Sequence, residues 1–343
     1  MYQALKQRNK TMPNKSFLIS HFSFLIDKKN LLAFSAGVDS SALFFLLLEN
    51  NIPFDIAIVN YGTRKNSGKE EAHAKALAVK YNLVCHSIKA PSFTSHFEAN
   101  ARKFRYAFFD RITEQHRYET LLMAHQLNDQ LEWLLMRLTK GAGVCELVGL
   151  EPLSQRKNYT IVRPLLSHTK EELLDYLHGR GHPYFVDESN TDERYERNYF
   201  RQRFADPLIA RYHKGIKRSF DYLRQDKRKM QEDFTVLFSD RELKVLRLHA
   251  SSAKARAADL TLKERGYLLS AAQRNEIEKE SSLVVGGQWA VELQNDLLFI
   301  APYKIIYMPK KFKEACRIAK IPSKIRAYLF EAGINPSLFI FNF

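Results

Sequence analysis

Between Leu31 and Leu48 the chain passes from a short apolar run, Leu31 to Phe34, through the small-residue loop Ser35-Ala36-Gly37-Val38-Asp39-Ser40, into seven consecutive apolar residues, Ala42 to Leu48. This order, buried strand, tight loop, apolar helix, is the entry unit of an α/β fold. The loop also lies where a helix start presents unpaired N–H groups and a partial positive charge, so it can wrap a phosphate or pyrophosphate. Ser35 and Ser40 add hydroxyl donors, Gly37 lets the backbone come close, and Asp39 can hold a Mg²⁺ bridging the phosphates or orient a nucleotide. The same residues also suit a plain strand-to-helix turn with Ser40 as N-cap. No GKS or GKT occurs in the loop, which rules out a Walker A loop.

The alternation continues to about residue 150. Strands are expected near Leu31 to Phe34, Phe54 to Asn60, Leu83 to Ile88 and Thr120 to Ala124, with helices at Ser40 to Glu49, Lys69 to Tyr81, Phe97 to His116 and Asp129 to Lys140. Strands separated by helices imply parallel pairing, hence α/β with a doubly wound parallel sheet. Tyr159 to Arg163 reads as one more strand and His168 to Arg180 as a helix. Beyond Thr191 charged helix takes over, with no further strand expected before Leu283. The expected division is a domain at 1–205, a basic helical linker region at 206–250, and a small α+β C-terminal module at 251–343 with strands at Leu283 to Val285, Ala290 to Leu293 and Leu297 to Ile300.

With 45% hydrophobic and 27% charged residues, the 343-residue chain is not fibrous or wholly disordered. Its apolar runs are far shorter than the roughly 20 residues of a membrane-spanning helix, so no membrane association is expected. Residues 1–30 carry no signal-peptide pattern, and a cytoplasmic location is expected. The cysteines Cys85, Cys145 and Cys316 are too scattered for a CxxC motif or a disulfide framework. Lys and Arg number 53 against 38 acids, a formal charge of +15. Residues 194–230 carry 12 basic against 4 acidic side chains and residues 309–326 carry 7 against 1, so nearly all the excess sits in two segments. Such runs are either solvated helix faces or polyanion contacts. Aromatic residues interleaved in the first, from Tyr195 to Tyr222, offer stacking surfaces for unpaired bases.

The loop resembles the SGGxDS signature of the ATP-pyrophosphatase, or PP-loop, superfamily, with Ala36 in place of its second residue, a glycine. Four further segments resemble the tRNA(Ile)-lysidine synthase family. Val59-Asn60-Tyr61-Gly62-Thr63-Arg64 is similar to V-(D/N)-H-G-L-R. Phe97-Glu98-Ala99-Asn100-Ala101-Arg102 followed by Arg105-Tyr106 is similar to its E-x-x-A-R-x-x-R-Y helix. Ala124-His125-Gln126-Leu127-Asn128-Asp129-Gln130 with Glu132 is similar to A-H-x-x-D-D-Q-x-E-T, with Asn128 for the first acid and Trp133 for Thr. Arg163-Pro164-Leu165-Leu166, Asp187, Asn190 and Arg197-Asn198 with Arg201 match R-P-L-L, D-x-x-N and R-N-x-x-R.

The resemblance implies that residues 1–205 form a catalytic PP-loop domain and that 251–343 bind tRNA. It implies an ATP-dependent C–N ligase that joins L-lysine to C2 of the wobble cytidine of a tRNA(Ile) with a CAU anticodon, through an O-adenylated cytidine, releasing AMP and pyrophosphate. ATP and Mg²⁺ are the implied cofactors, with Ser35, Ala36, Gly37, Val38, Asp39 and Ser40 holding ATP and Asp39 holding the metal. Asp39, Asp129, Glu132 and Arg197 are the expected catalytic residues, Asp129 and Glu132 serving the incoming lysine. Substrate contacts are expected from Arg64, Arg105, His125, Asn198 and Arg201, with Lys310, Lys311 and Lys313 docking the tRNA. Oligomeric state stays open, a homodimer being one expectation. A tRNA 2-thiolating enzyme competes with this reading but wants paired cysteines. A non-catalytic RNA-binding protein on a degenerate PP-loop fold competes from another class.

Overall fold

The computed structural model describes residues 22–62, 67–93, 95, 97–186 and 195–339. The chain forms two compact units, dividing between Arg224 and Gln225. In the first, β1 (Asn30–Ala33), α1 (Val38–Glu49), β2 (Phe54–Asn60), α2 (Ser67–Tyr81), β3 (Cys85–Lys89), α3 (Phe97–His116), β4 (Thr120–Leu122) and α4 (Leu127–Leu138) alternate as the sequence pattern predicts. A single-turn α5 (Val144–Leu147), the hairpin strands β5 (Leu153–Gln155) and β6 (Thr160–Val162), and α6 (Lys170–Arg180) complete the alternation. The unexpected β5 is a short antiparallel edge strand.

The sheet order is β3-β2-β1-β4-β6-β5, parallel except at β5. Neighbouring residues on each strand face opposite layers. Leu32, Ile56, Leu122 and Val162 pack with α1, α2 and α6, whereas Leu31, Ala57, Leu121 and Ile161 pack with Phe108, Phe109 and Ile112 of α3. Both faces are covered, which is why these strands read as unbroken apolar runs. Residues Ser40 to Leu47 of α1 are buried, as its nearly uniform apolar composition requires.

Strand order reverses beside β1, which pairs with β2 on one side and β4 on the other. The loops leaving β1 and β4 therefore open next to each other at the carboxyl ends, where open α/β sheets bind ligands. At the opposite end the buried Asn30 joins three segments. Its Nδ2 donates to the carbonyls of Leu25, Lys28 and Pro53 at 2.7–2.9 Å, and its Oδ1 accepts from Thr120 Oγ1 at 2.6 Å.

The chain follows through α7 (Glu196–Phe200), a π-helical turn (Arg201–Ala205) and α8 (Asp206–Gln231), which kinks at Tyr212, where φ is −127° and ψ 15°. Ala205, Ile209 and Phe220 pack on Leu127 and Leu131 of α4, so 206–224 belong to the first unit. The second unit holds β7 (Phe234–Asp240), β8 (Leu243–Leu248), α9 (Lys254–Glu264), α10 (Ala271–Lys279), β9 (Ser282–Val285), β10 (Trp289–Gln294), β11 (Leu297–Pro302), α11 (Lys310–Ile318) and α12 (Ser323–Ala332). Its antiparallel sheet runs β7-β8-β11-β10-β9.

Two differences from the sequence reading follow. The stretch expected as linker, 206–250, is divided between the units, and strands occur well before Leu283. In β8, Lys244 and Arg247 interrupt an otherwise buried run. Lys244 pairs with Glu264 at 2.6 Å and Arg247 with Asp296 at 3.1 Å, partners distant in the chain. Among the described residues no helix is long and apolar enough to cross a membrane, and all three cysteines are free.

Replacing Asn30 by Ala should leave several inward-facing carbonyls and the Thr120 hydroxyl without their partner. We expect a loss of roughly 2–4 kcal/mol in denaturant unfolding of the first unit. An unchanged midpoint would mean that water replaces the amide.

Candidate functional site

The loop leaving β1 turns through Ala36, whose φ is +59°, and reaches α1 through Gly37 as the N-terminal flanking residue. Ala36 is fully buried, and its carbonyl accepts from Phe185 N at 2.8 Å. A residue other than glycine in the left-handed region costs about 1–2 kcal/mol. Burying the methyl returns about 0.8 kcal/mol. The departure from glycine is therefore partly offset within the core. Ser40 Oγ accepts from Ser35 N at 3.2 Å, donates to Gly37 O at 3.2 Å and lies 3.1 Å from Ser35 Oγ. These bonds close the loop around the helix start, with Ser35 exposed and Ser40 buried.

Asp39 follows in the first turn of α1. Its Oδ1 is buried without a hydrogen-bond partner. Burial, then the nearby Asp129 carboxylate, pushes its carboxyl up to about 7, against the opposing charges of Lys170, Arg201 and Arg197. A half-buried carboxyl with one buried, unpartnered oxygen, set beside a second carboxyl, has the oxygen chemistry a hard divalent cation takes.

The loop leaving β4 supplies the rest. Gln126 flanks α4, accepting from Asn128 N at 2.7 Å, while Asp129 Oδ2 accepts from Gln126 N at 3.0 Å. Asp129 Oδ1 accepts from Arg197 Nη2 at 3.0 Å and Arg201 Nη2 at 2.9 Å. Glu132, one helical turn on, accepts from Arg197 Nε and, at 2.8 Å, from Arg201 Nε. Two guanidinium groups thus bridge two carboxylates. Burial works to raise Asp129, but the Arg197 and Arg201 guanidinium groups overcome it and hold the carboxyl below its ordinary value. Burial dominates at Glu132, whose carboxyl is raised despite the same arginines. The π-helical turn begins at Arg201, a widening common where a helix serves a site.

Buried Arg163 holds His125 at the rim, Nε donating to His125 Nδ1 at 3.3 Å while Nη1 donates to Glu151 O and Ser154 Oγ at 2.8 Å each. Burial pushes the His125 ring down to about 4, helped by Arg163, Arg197 and Arg105 against Asp129. His125 is a neutral ring at physiological pH, its remaining proton on Nε2. Arg105 lies near Tyr61, with its Nε buried and unpartnered. Asn198 follows Arg197 on α7 and is partly buried.

The structure thus gathers Ser35 to Ser40, His125, Asp129, Glu132, Arg197 and Arg201 within one unit. Arg197, expected to be catalytic, and Arg201, expected to contact substrate, are both engaged by carboxylates. Arg64 lies outside the described residues, as do Asp187 and Asn190. Lys310, Lys311 and Lys313 belong to the second unit, exposed in the first turn of α11. The sequence reading assigned no role to Lys170, whose charge reaches Asp39, or to Arg163. Both stand within quoted or adjacent segments, but nothing local reveals their partners.

Two further departures from the family pattern, Asn128 and Trp133, have structural partners; Tyr61, in place of His, donates to Ala101 O at 3.3 Å, and Thr63, in place of Leu, lies outside the described residues. Asn128 Nδ2 donates to Asp206 Oδ1 at 2.7 Å, and its Oδ1 accepts from Lys170 N at 3.3 Å. Trp133 donates to Glu146 O at 2.8 Å, and its ring occupies the space where a Cβ on Gly149 would lie 1.9 Å away.

Residues 6–208 match the family model described as the PP-loop domain. The chain is 45% identical over 310 residues, 90% of its length and 94% of the relative's, to a tRNA(Ile)-lysidine synthase of Campylobacter jejuni (strain RM1221). It is 41% identical to one from Helicobacter hepaticus, covering 91% of this chain and 84% of that one. It is 38% identical to one from Helicobacter pylori, covering 91% and 92%.

Asn128→Asp should place two carboxylates at a hydrogen-bonding distance and lower thermal stability by roughly 1–3 kcal/mol. Adding Asp206→Asn should restore it, which thermal unfolding of the single and double variants would decide. For Asp39, the unfolded carboxyl ionises near 3.8 and the folded one near 7, so between these values the folded chain binds the extra proton. Stability in EDTA should therefore fall as pH rises from about 4 to about 7 and then level. Asp39→Asn should flatten that window, and an identical pH profile in denaturant titrations would contradict the assignment.

Proposed function

The chain belongs to the tRNA(Ile)-lysidine synthase family, and from that premise we propose that it joins L-lysine to C2 of the wobble cytidine of a tRNA(Ile) with a CAU anticodon, consuming ATP. What carries the reading beyond the family is one juxtaposition. A phosphate-type loop with an unpartnered buried carboxyl shares the sheet's switch point with two carboxylates and two guanidinium groups.

A pyrimidine C2 carbonyl is a poor electrophile. Its oxygen first attacks the α-phosphate of ATP, giving the O-adenylated cytidine and pyrophosphate, and the lysine ε-amine then displaces AMP. Residues 35–40 hold the leaving pyrophosphate at the α1 start. Asp39 would hold Mg²⁺, which would offset phosphate charge. Arg197, whose side chain is 44% exposed against 17% for Arg201, is the guanidinium a triphosphate can draw away from the carboxylates. Arg201 stays to fix Asp129 and Glu132. An amine with a reference pKa near 10.4 must lose a proton before it attacks. Glu132, raised by burial, is the better base, while Asp129, held low, stays anionic and binds the ammonium form. Neutral His125 offers its Nε2–H to the pyrimidine or the adenylate.

In the second unit, Lys310, Lys311 and Lys313 crowd the positive end of α11, with no acid in that first turn. This arrangement opposes the helix dipole, and an RNA phosphate would relieve it. The chain works on tRNA in the cytoplasm, as a monomer or a homodimer.

AMP and pyrophosphate should form in equal amounts only when ATP, L-lysine and unmodified tRNA(Ile) are all present. Asp39→Ala and Asp129→Ala should reduce this at least a thousandfold while tRNA affinity stays within a few-fold. Release of ADP, or turnover without lysine, would overturn the proposal.

A further inference from the structure

Outside the ion cluster, two guanidinium groups converge on one tyrosine. Arg102 of α3 lies over the Tyr106 ring, 4.9 Å from its centroid, and Arg156, between β5 and β6, lies over the same ring at 4.7 Å. Tyr106 is buried, its hydroxyl on Met123 Sδ at 3.5 Å, while both arginines are exposed. Neither forms an ion pair with a described residue.

Each charge lies within 5 Å of one centroid, so the two are no farther apart than the roughly 10 Å over which salt screens. A third guanidinium, the buried Arg163, is close enough that Arg102 and Arg156 add to the burial that already disfavours its charge. Exposed Lys103 and Lys157 adjoin the pair in the chain. A cation–π contact contributes only about 0.5–1 kcal/mol at an exposed site. Both side chains are exposed and have no ion-pair partner among the described residues, so their guanidinium N–H groups are open to phosphate oxygens, which an arginine fork can bind bidentately. The patch is continuous with the site, since Arg163 also holds His125. Four exposed cations on two neighbouring segments, Arg102 and Lys103 with Arg156 and Lys157, suit the repeated phosphates of a polymer strand better than a mononucleotide.

We propose that Arg102 and Arg156, clamped on Tyr106, bind the phosphodiester backbone of the substrate RNA beside the base that enters the site. This rests on the tRNA reading above and adds to it a surface outside the two basic segments at 194–230 and 309–326. The target base then approaches past His125 while its flanking phosphates lie on the two arginines.

The test measures tRNA binding by the full chain as a function of salt for the wild type, Arg102→Gln/Arg156→Gln and Arg102→Lys/Arg156→Lys. With each phosphate contact adding about 0.7–0.9 to the log–log slope, the Gln pair should lower it by roughly 1.4–1.8 and weaken binding about tenfold. The Lys pair keeps the charges and should retain most of the slope. ATP affinity measured without RNA should stay within twofold in both. A wild-type slope and affinity in the Gln pair would sink the proposal and leave the arginines as covers for Tyr106. If the Gln pair also loses ATP binding, it is misfolded and the Lys pair decides: a slope as low as that of an uncharged patch would overturn the phosphate role. Failure of the wild type to make lysidine on tRNA that it binds would defeat the activity reading instead, whatever the slopes show.

Discussion

Parallel pairing of β1 with both β2 and β4 is the constraint on which the rest of the first unit depends. Crossovers leave β1 toward one side of the sheet and return to β4 on the other, so neither covers the crevice between their carboxyl ends. That crevice receives the start of α1 from one strand and the start of α4 from the other. Two helix N-termini bring positive potential, and the first turns of both carry an aspartate. Asn30, bonded to Thr120 across the same pair of strands, holds the opposite end in register. A slip there would turn the core residues of β1 to the wrong layer.

Charge is arranged within the crevice so that most of it cancels. Asp129 and Glu132 are each met by both Arg197 and Arg201, so the buried carboxylates keep the half-buried Arg201 as a partner even if the more exposed Arg197 moves away. Asp39 is left without a hydrogen-bond partner at its buried Oδ1, so the protein keeps one carboxyl oxygen out of water with no donor on it. A stability-only design would have an apolar or amide side chain there. An unpaired acid beside a pyrophosphate-type loop makes sense when a cation and a triphosphate complete the site, the use suggested for Asp39 above.

Departures from the family pattern bear on whether such a site works or has decayed. Ala36 tucks its methyl into the core, Asn128 uses its amide to meet Asp206, and Trp133 fills space that Gly149 leaves. Each is accommodated by a specific neighbour. Random loss would leave cavities or unpaired polar atoms at these positions, and it would have no reason to preserve the four-membered ion cluster. The free cysteines, one each on β3, α5 and α11, supply none of the pairing that sulfur delivery wants.

The amino-acid sequence by itself determined the alternation of elements, the phosphate-type loop at the α1 start and the family, because apolar periodicity and helix-start chemistry act over a few residues. Phe54–Asn60 and Phe97–His116 are legible to the residue for that reason. Tertiary structure alone decided what the charges do. Arg197 and Arg201 read along the chain as a catalytic group and a substrate contact, yet they meet carboxylates 65 to 72 residues away. Lys244 and Arg247 made β8 look like charged helix until Glu264 and Asp296 came alongside them. Ala36's positive φ, Asn128's bond to Asp206 and the meeting of Arg102 with Arg156 on Tyr106 have the same origin. Whether a charged or strained residue is tolerable depends on its neighbours and on the solvent left around it, and both are set only when distant segments pack.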